Sequence, residues 1–232
     1  MKKFLLLLAM PFMFAACNLG MEDVLLYGEI SFGEVVSGKI ITDVGNTYIV
    51  TTDETGTEDW KTAGRCVFDC DILTKEADGL YNVRLLDYSP VVCQDIIPSS
   101  EISKEERGDD GVYASQIWIS GPGINACVYY TSVAESNMSH EINLVLDEER
   151  STGHNLYFIL THNGHGETYE NEDIDTENLV INQKYFTFDY ADVTADLSGS
   201  YYIFIESDWY VTSGNELLRE KETISVSGVV SF

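Results

Sequence analysis

One stretch of the chain, Cys66-Val67-Phe68-Asp69-Cys70-Asp71-Ile72, carries the clearest signal for the fold. Apolar side chains occupy every second position of this stretch, and the positions between them are mostly polar. Because successive side chains of a β-strand point to opposite faces, this alternation predicts a strand with one apolar face and one mostly polar face. The surrounding fold is therefore expected to be built from β-sheets.

Further strand-like runs, rich in β-branched and aromatic residues, lie before and after this stretch, and clusters of Gly, Asp, Asn and Thr separate them. Few helical signals interrupt the runs. For residues 28–97 the favoured arrangement is a small closed or nearly closed barrel of about five strands. The predicted strands lie near residues 30–41, 46–53, 64–74 and 80–96.

Residues 98–111 are predicted to form an acidic linker, because they carry many charges and almost nothing apolar to bury. Ser100 precedes a charged run of helix-friendly residues, which predicts one helical turn there. Residues 112–232 contain about seven strand candidates with turn signals between them, the number expected of an immunoglobulin-like β-sandwich. These lie near residues 112–120, 124–131, 140–147, 155–162, 179–189, 200–206 and 221–232.

The N-terminus has the layout of a secretory signal, in which Met1-Lys2-Lys3 precedes an apolar run that ends at Ala16. The run is too short to span a bilayer, which requires about 20 apolar residues. Small residues directly before Cys17 match the lipobox of bacterial lipoproteins. We therefore expect a signal peptide over residues 1–16, lipid on Cys17 and a tether over residues 17–27. The alternatives are an ordinary signal peptide and an uncleaved core segment.

The chain is strongly acidic, with 13 Lys and Arg residues against 39 Asp and Glu residues and a formal net charge of −26. Such a field repels phosphate backbones, whose binding depends on Lys and Arg, so nucleic acid is not expected as a partner. A hydrophobic content of 44% and an aromatic content of 12% argue against disorder over most of the length. The charge is therefore expected on solvated faces and loops.

The lipobox cysteine, the acidic all-β composition, the segment Leu80-Tyr81-Asn82-Val83-Arg84-Leu85-Leu86-Asp87-Tyr88 and the C-terminal sandwich together resemble the NigD-like lipoproteins of Bacteroides-type bacteria. The resemblance implies an all-β chain with an OB-like barrel (oligonucleotide/oligosaccharide-binding) over residues 28–97, followed by an immunoglobulin-like domain. The family has no agreed activity, and its name implies a role beside a bacteriocin system only by association. No functional residue is carried over.

Four cysteines remain beyond the expected anchor: Cys66, Cys70, Cys93 and Cys127. An exported protein can form disulfides, and the sequence leaves open which of the possible pairings occurs. A bridge between Cys66 and Cys70 is the poorest candidate, because the intervening strand spans about 13 Å, beyond the roughly 7 Å limit for bridged Cα atoms. Both are better interpreted as small core residues.

The histidines lie in the second half of the chain, and three of them suggest a metal site. His162, His165 and Glu167 occupy a Gly-rich segment, where they could bind zinc or another divalent metal if His154 folded over it. An exposed hairpin turn is the competing interpretation, because Asn-Gly and His-Gly are ordinary turn sequences. No sequence motif for a catalytic nucleophile, a phosphate loop or a dinucleotide site is present, and no cofactor is expected.

Aromatic residues are the remaining resource for binding. Trp209 and Tyr210 are expected in the loop after the sixth strand of the sandwich, where immunoglobulin-like domains present binding loops. Trp60 is expected in a polar loop of the barrel. Exposed rings beside carboxylates suit stacking on sugars or anchoring a protein partner, and packing at the edge of the fold is the alternative.

The leading functional hypothesis is a non-catalytic protein, held on a membrane by its lipid, that presents loops to a protein or glycan partner. The outer membrane is the expected location, with the protein facing either the periplasm or the cell surface. The alternatives are an immunity or accessory factor for a bacteriocin system and a metal-assisted hydrolase.

Overall fold

The computed structural model describes residues 27–121, 123–167, 176–195, 197–213 and 216–231. Most of the regular structure in these residues is β-strand. The predicted signal peptide, Cys17 and the tether before Tyr27 lie outside the described residues. Among the residues that are described, no helix is long and apolar enough to cross a membrane.

Thirteen strands, two short helices and two 3-10 turns make up the described part of the chain. The strands are β1 (Tyr27–Val36), β2 (Lys39–Thr42), β3 (Thr47–Asp53), β4 (Arg65–Ala77), β5 (Leu80–Asp95), β6 (Ile97–Pro98), β7 (Val112–Ser120), β8 (Gly123–Val133), β9 (Glu141–Leu146), β10 (Asn155–Asn163), β11 (Leu179–Asp189), β12 (Ser200–Ser213) and β13 (Glu216–Ser231). The helices are α1 (Lys104–Arg107) and α2 (Ala191–Thr194), and the 3-10 turns are Asp59–Thr62 and Thr176–Asn178.

The first five strands close into a ring. β1 pairs with β2 and β4, β3 pairs with β2 and β5, and β4 pairs with β5, so every strand has a neighbour on both sides. Inside the ring lie the apolar side chains of the alternating stretch on β4, namely Cys66, Phe68, Cys70 and Ile72, each 0% exposed. The predicted small barrel of about five strands agrees with this ring. Its assignment as an OB-like barrel stays a prediction.

The segment predicted as one strand over residues 30–41 is instead a hairpin of β1 and β2. Ser37 and Gly38 at its tip both have positive φ, 53° and 75°. Two such residues are what the tightest common hairpin turn requires. The Ser-Gly pair is therefore the sequence signal that divides the segment into two strands.

β5 joins the barrel to the second region. Its first part pairs with β3 and β4, whereas residues 91–95 pair in parallel with β11. Ile96 already belongs to the second core. The chain therefore enters the second region near Val91, before the boundary predicted after Ile97, because one long strand serves both regions.

The second region is a sandwich of two sheets that share one hydrophobic core. One sheet continues from the barrel in the order β5-β11-β8-β7, and the other has the order β13-β12-β10-β9-β6. The pairings β5–β11, β10–β12 and β6–β9 are parallel, whereas the sheets of an immunoglobulin-like domain are antiparallel. The predicted sandwich is present, and its immunoglobulin-like assignment is not confirmed.

The predicted linker packs into the sandwich instead of spanning open solvent. Its helical turn begins after Ser103 and not after Ser100. The Ser103 hydroxyl accepts from the N–H of Glu106, and the Glu106 carboxylate accepts from the N–H of Ser103. This reciprocal pair is the capping box that starts many helices.

The end of the same segment fills a gap in the second sheet. β10 and β12 pair as far as Ile159 and Glu206. Beyond that point the N–H of Asp110 donates to the His162 carbonyl on β10, and the N–H of Gly111 donates to the Tyr210 hydroxyl of β12. The acidic segment is therefore an integral part of the sandwich.

Candidate functional site

Of the aromatic residues predicted to bind a ligand, only Trp209 keeps partial exposure. Trp60 is 2% exposed, and its indole N–H donates to the Asp53 carboxylate at 2.6 Å. Tyr210 is 1% exposed. Trp209 and Tyr210 lie on β12 and not in a loop, because that strand continues to Ser213. The prediction of exposed binding rings is therefore wrong for Trp60 and Tyr210.

Trp209 of β12 lies at one end of a series of aromatic rings along the outer face of the barrel-connected sheet. The series comprises Trp118, Phe32, Tyr185, Tyr129, Tyr113 and Trp209, and we call it the aromatic strip. The ring centroids are 4.8 Å apart for Phe32 and Trp118, and 6.0 Å apart for Phe32 and Tyr185. At the other end they are 6.3 Å apart for Tyr113 and Tyr129, and 6.1 Å apart for Tyr113 and Trp209.

Strand register places three tyrosines of the strip on the outer face of this sheet. Tyr113 is directly opposite Tyr129 on β7 and β8, and Tyr129 is directly opposite Gln183 on β11. Their neighbours Ala114, Val128 and Phe186 belong to the sandwich core. Because side chains alternate along a strand, Tyr113, Tyr129 and Tyr185 point away from that core.

The Gln183 amide joins the two halves of the strip. The Tyr129 hydroxyl donates to its carbonyl oxygen at 3.1 Å, and its NH₂ group donates to the Tyr185 hydroxyl at 3.3 Å. Partial burial raises the pKa of both tyrosines, so their hydroxyls stay protonated at neutral pH. The strip therefore offers fixed apolar rings together with oriented polar groups.

A buried polar network holds the barrel end of the strip in place. Arg65 of β4 donates to the Asp43 carboxylate at 2.8 and 2.7 Å, to the Thr187 hydroxyl at 2.7 Å and to the Asn125 carbonyl at 2.9 Å. Its guanidinium lies 5.6 Å from the centroid of Phe32. Since Thr187 and Asn125 belong to the sandwich, the network fixes the barrel against the outer face of the sheet.

The strip is accessible and lies on an acidic molecule. Trp118, Tyr113, Tyr129, Tyr185 and Trp209 are all half-buried, and only Phe32 is fully buried. One exposed carboxylate lies near the strip, because Glu34 is two residues after Phe32 and therefore on the same face of β1. An exposed face of this composition suits a partner with apolar and basic groups.

The residues predicted as metal ligands are not brought together as a set. His154 lies just before β10 and His162 near its end, so the strand separates them by on the order of 25 Å. The His154 ring packs against Tyr201, 4.9 Å between centroids. His165 lies 3.6 Å from Glu141. No group of three or more His, Cys, Asp or Glu side chains within the described residues could hold a metal ion.

His162 instead pairs with His140, which the metal prediction did not include. The Nδ1 atom of His140 lies 2.9 Å from the Nε2 atom of His162, and the rings stack with centroids 5.1 Å apart. His162 is 0% exposed, and its Nδ1 atom lies 3.2 Å from the carbonyl oxygen of Gly111. The Nε2 atom of His140 lies 3.5 Å from Glu167, whose other carboxylate oxygen accepts from Ser136.

The cysteines are free thiols in the described residues. Cys66 and Cys70 are core residues as predicted, and burial raises the pKa of Cys66 to about 11 and that of Cys70 to about 12. Cys127 is buried and Cys93 is exposed. A thiolate nucleophile is therefore disfavoured at Cys66 and Cys70 at neutral pH.

The strip and the histidine pair both join residues that are distant in the sequence. Phe32, Tyr113 and Tyr185 come from three different strands, and His140 is separated from His162 by β9 and most of β10. The only local signal for the strip is the position of Tyr113 and Tyr129 at alternate, non-core positions of predicted strands. Nothing in the sequence pairs His140 with His162 before the antiparallel β9–β10 ladder is known.

The fold of this chain is a closed barrel joined through one long strand to a two-sheet sandwich, and this fold is the basis for comparison with known proteins. No protein-family model matches the chain, and no curated protein resembles it in sequence. Three solved structures share the fold over most of their lengths. They are a DUF1344 protein of unknown function from Bacteroides vulgatus, a NigD-like immunity protein from Bacteroides caccae and a proposed lipoprotein from Bacteroides fragilis.

The Bacteroides vulgatus protein is 20% identical, with a TM-score of 0.58, over 87% of this chain and 91% of that chain. The NigD-like immunity protein is 16% identical, with a TM-score of 0.55, over 86% of this chain and 91% of that chain. The Bacteroides fragilis protein is 13% identical, with a TM-score of 0.54, over 88% of this chain and 97% of that chain. The predicted resemblance to the NigD-like proteins is confirmed at the level of the fold.

Proposed function

We propose that this chain is a non-catalytic accessory protein, held on a membrane by lipid at Cys17, that binds a basic partner protein on its aromatic strip. The aromatic strip is the observation that carries the proposal. Interface centres are enriched in tyrosine and tryptophan, because these rings bury much apolar area at a low cost in side-chain entropy. Here they project from strands, so a binding surface would be formed before the partner arrives.

The charge of the chain favours a basic partner. With a net charge of −26, the molecule attracts cationic proteins over distances of about 10 Å at moderate salt. Glu34, on the same face of β1 as Phe32, brings negative charge near the strip. Rim charges of this kind chiefly speed association, while the buried rings slow dissociation.

Anchoring through Cys17 supports the same proposal. The small residues directly before Cys17 match the lipobox of bacterial lipoproteins. Several acyl chains on one cysteine make a stable anchor. Membrane fractionation of wild type and Cys17→Ala tests this step, because the variant is expected to leave the membrane fraction. Protease treatment of intact cells then separates a periplasmic partner from an extracellular one.

Site-specific photo-cross-linking in the native cells tests the partner surface. A photoreactive benzoylphenylalanine replaces Tyr113 in the strip, or Tyr202, which is 58% exposed and lies outside the strip. The expected result is a specific adduct with a basic protein from position 113 and not from position 202, lost when Trp209→Ala is added. Equal adducts from both positions, or an acidic adduct partner, would contradict the proposal.

A glycan is the competing occupant, because aromatic rings also stack on sugars. A glycan array with the purified protein distinguishes the two. Glycan binding by wild type that is lost in both Trp209→Ala and Tyr129→Ala, together with no protein adduct at position 113, would identify a sugar ligand and overturn the protein-partner proposal.

A second candidate makes the partner a protein toxin. The name of the Bacteroides caccae structure, a NigD-like immunity protein, favours this version. A deletion strain is then expected to become sensitive to a bacteriocin, and wild type but not Trp209→Ala is expected to restore resistance. Unchanged sensitivity of the deletion strain across a panel of toxins would contradict the immunity function and leave only the accessory role.

A further inference from the structure

We propose that the open edge of the sandwich, between β7 and β13, binds an uncharged strand of a partner protein, which extends the barrel-connected sheet beyond β7. β7 is the last strand of that sheet, and β13 is the last strand of the second sheet. Within the described residues, neither strand pairs with a further strand on its other side. Because β7 packs against both β12 and β13, the two free edges lie at the same side of the sandwich.

The second sheet reaches further at this edge than the first. β7 packs mainly against β12 and only marginally against β13. Neighbouring strands of a sheet lie about 4.8 Å apart. A strand added beside β7 would therefore lie over β13, just as β7 lies over β12.

The inner face of β13 is consequently the uncovered part of the sandwich core. Val226 is directly opposite Ile205, and Gly228 is directly opposite Ile203. Since both isoleucines belong to the core, Val226 and Gly228 face the same inner side. The isoleucines are 5% and 3% exposed, whereas Val226 is 38% exposed.

A cleft of about 250 Å³ lies between β7 and this uncovered face, and we call it the edge cleft. Its apolar lining includes Ile117, Ile119, Ile203, Ile205, Val226 and Gly228. The missing side chain of Gly228 contributes to the space, because a Cβ atom there would meet nothing within 4 Å. An apolar cavity of about 150 Å³ can hold benzene. The edge cleft therefore has room for one or two aliphatic side chains.

The backbone of β7 beside the cleft is available for pairing. After a bulge between Ala114 and Gln116, residues 116–120 pair regularly with residues 123–127 of β8. An antiparallel ladder uses the N–H and C=O groups of every second residue, so the groups of the other residues point to the open side. A partner strand would bond these groups and place alternate side chains in the cleft.

Charge indicates which kind of strand fits. Residues 112–120 and 223–231 contain no charged residue, although the chain carries a net charge of −26. Natural edge strands often carry lysine or proline, which prevent pairing, and these two segments contain neither. A charged side chain would lose its hydration in the apolar cleft. The acidic surface beyond the cleft favours lysine or arginine at the ends of the bound strand.

Other occupants match these observations less well. A second copy of this chain carries the same net charge of −26 and would be repelled. An acyl chain could enter the cleft but could not bond the free backbone groups of β7. The occupant is therefore an extended segment with apolar residues at alternate positions, no acidic residue and basic ends. Trp118 borders both the cleft and the aromatic strip, but this site does not rest on the proposed function of the strip.

Selection from a library of random displayed peptides with the purified protein tests the proposal. The enriched peptides are expected to show the alternating pattern and basic ends described above. Enrichment of no peptide, or of peptides without this pattern, would overturn the proposal. Binding of lauric acid without peptide enrichment would assign the cleft to an acyl chain, and dimerisation without peptide enrichment would assign it to a second copy. Either result would also overturn the proposal.

Gly228→Val is expected to fill the cleft and to weaken binding of an enriched peptide by at least about tenfold, because the added side chain occupies the space of the ligand. Ser225→Val is the matched control, since it adds the same side chain to the opposite, exposed face of β13. It should change the affinity by less than about twofold. Equal affinity of wild type and Gly228→Val would overturn the assignment to the cleft.

Hydrogen exchange followed by NMR tests the strand pairing in the unmodified chain. With the peptide at about 100 times its Kd, alternate amides of residues 116–119 are expected to exchange up to about 100-fold more slowly. Unchanged exchange of all these amides would overturn the pairing with β7. Trp209→Ala, which alters the strip and not the cleft, is expected to bind the peptide as wild type does. A loss equal to that of Gly228→Val would overturn the separate site.

Discussion

Arg65 and Asp43 form a two-pronged ion pair at the junction of barrel and sandwich, with side chains that are only 5% and 8% exposed. Arg65 also donates to Thr187 and Asn125 of the sandwich. A buried charge is costly unless every partner is present. The pair therefore fixes the relative position of the two regions, on which the continuity of the aromatic strip depends.

Arg65→Met is expected to lower the free energy of unfolding by about 3–5 kcal/mol, because it leaves the Asp43 carboxylate buried without its partner. Urea denaturation measures the change. Arg150→Met is the control, since Arg150 pairs with Glu206 at the surface and its loss is expected to cost at most about 1 kcal/mol. Similar losses in the two variants would show that the junction is not specially stabilised.

Asp43 also predicts how stability depends on pH. Burial opposes ionisation, but hydrogen bonds from Arg65 and Ser120 outweigh it and lower the pKa of Asp43. The resulting stabilisation is fully present above the ordinary carboxyl pKa and is lost as the pH falls through the lower folded value. The stability gap between wild type and Asp43→Asn should therefore narrow below about pH 4. If the difference in unfolding free energy between wild type and Asp43→Asn stays constant from neutral pH to below about pH 4, the ion pair does not stabilise the fold.

A side chain at position 123 is expected to disturb the pairing of β8 with β11 and so to lower the stability of the fold. A Cβ atom there would overlap the carbonyl oxygen of Phe188, whereas one at the exposed Gly228 meets nothing within 4 Å. Gly123→Ala is expected to cost about 1–3 kcal/mol of unfolding free energy, because the backbone must shift. Gly228→Ala should change it by less than about 0.5 kcal/mol. Thermal or urea unfolding of both variants measures the contrast.

The different burial of the cysteines is expected to give a pattern of chemical labelling. In the native protein under reducing conditions, iodoacetamide is expected to modify Cys93 before Cys66 and Cys70, because Cys93 is the exposed residue of the three, although partial burial raises the pKa of its thiol too. Cys66 and Cys70 should react only after denaturation, since burial removes access and raises their pKa values. Mass spectrometry of digested protein reads out each site. Rapid native labelling of Cys70 would contradict the closed barrel interior.

Local periodicity predicted most strands, because it reports directly which side chains are buried. The alternating stretch on β4 and the strands near 112–120 and 179–189 match the structure closely. Periodicity does not predict the turn at Ser37 and Gly38, because a two-residue turn hardly interrupts an apolar run. The predicted strand over residues 200–206 ends before β12 does, which is why the sequence places Trp209 in a loop.

The candidate site could be predicted only in part. Trp209 was found from composition, but Phe32, Tyr129 and Tyr185 join it through strand register between distant segments. Likewise, the sequence predicts His162 as a metal ligand, whereas in the structure its partner is His140 across the β9–β10 ladder. Such contacts depend on tertiary pairing, which local patterns do not specify.

The most direct test of the central claim is the dissociation constant of the cross-linked partner, measured by calorimetry with the purified lipidated protein. Trp209→Ala and Tyr129→Ala are each expected to weaken binding by about 30-fold, the effect of losing an interface hot spot of about 2 kcal/mol. Tyr202→Ala, an exposed ring outside the strip, should change it by less than about twofold. Unchanged affinity in both strip variants, or an equal loss in Tyr202→Ala, would contradict the assignment of the strip as the binding surface.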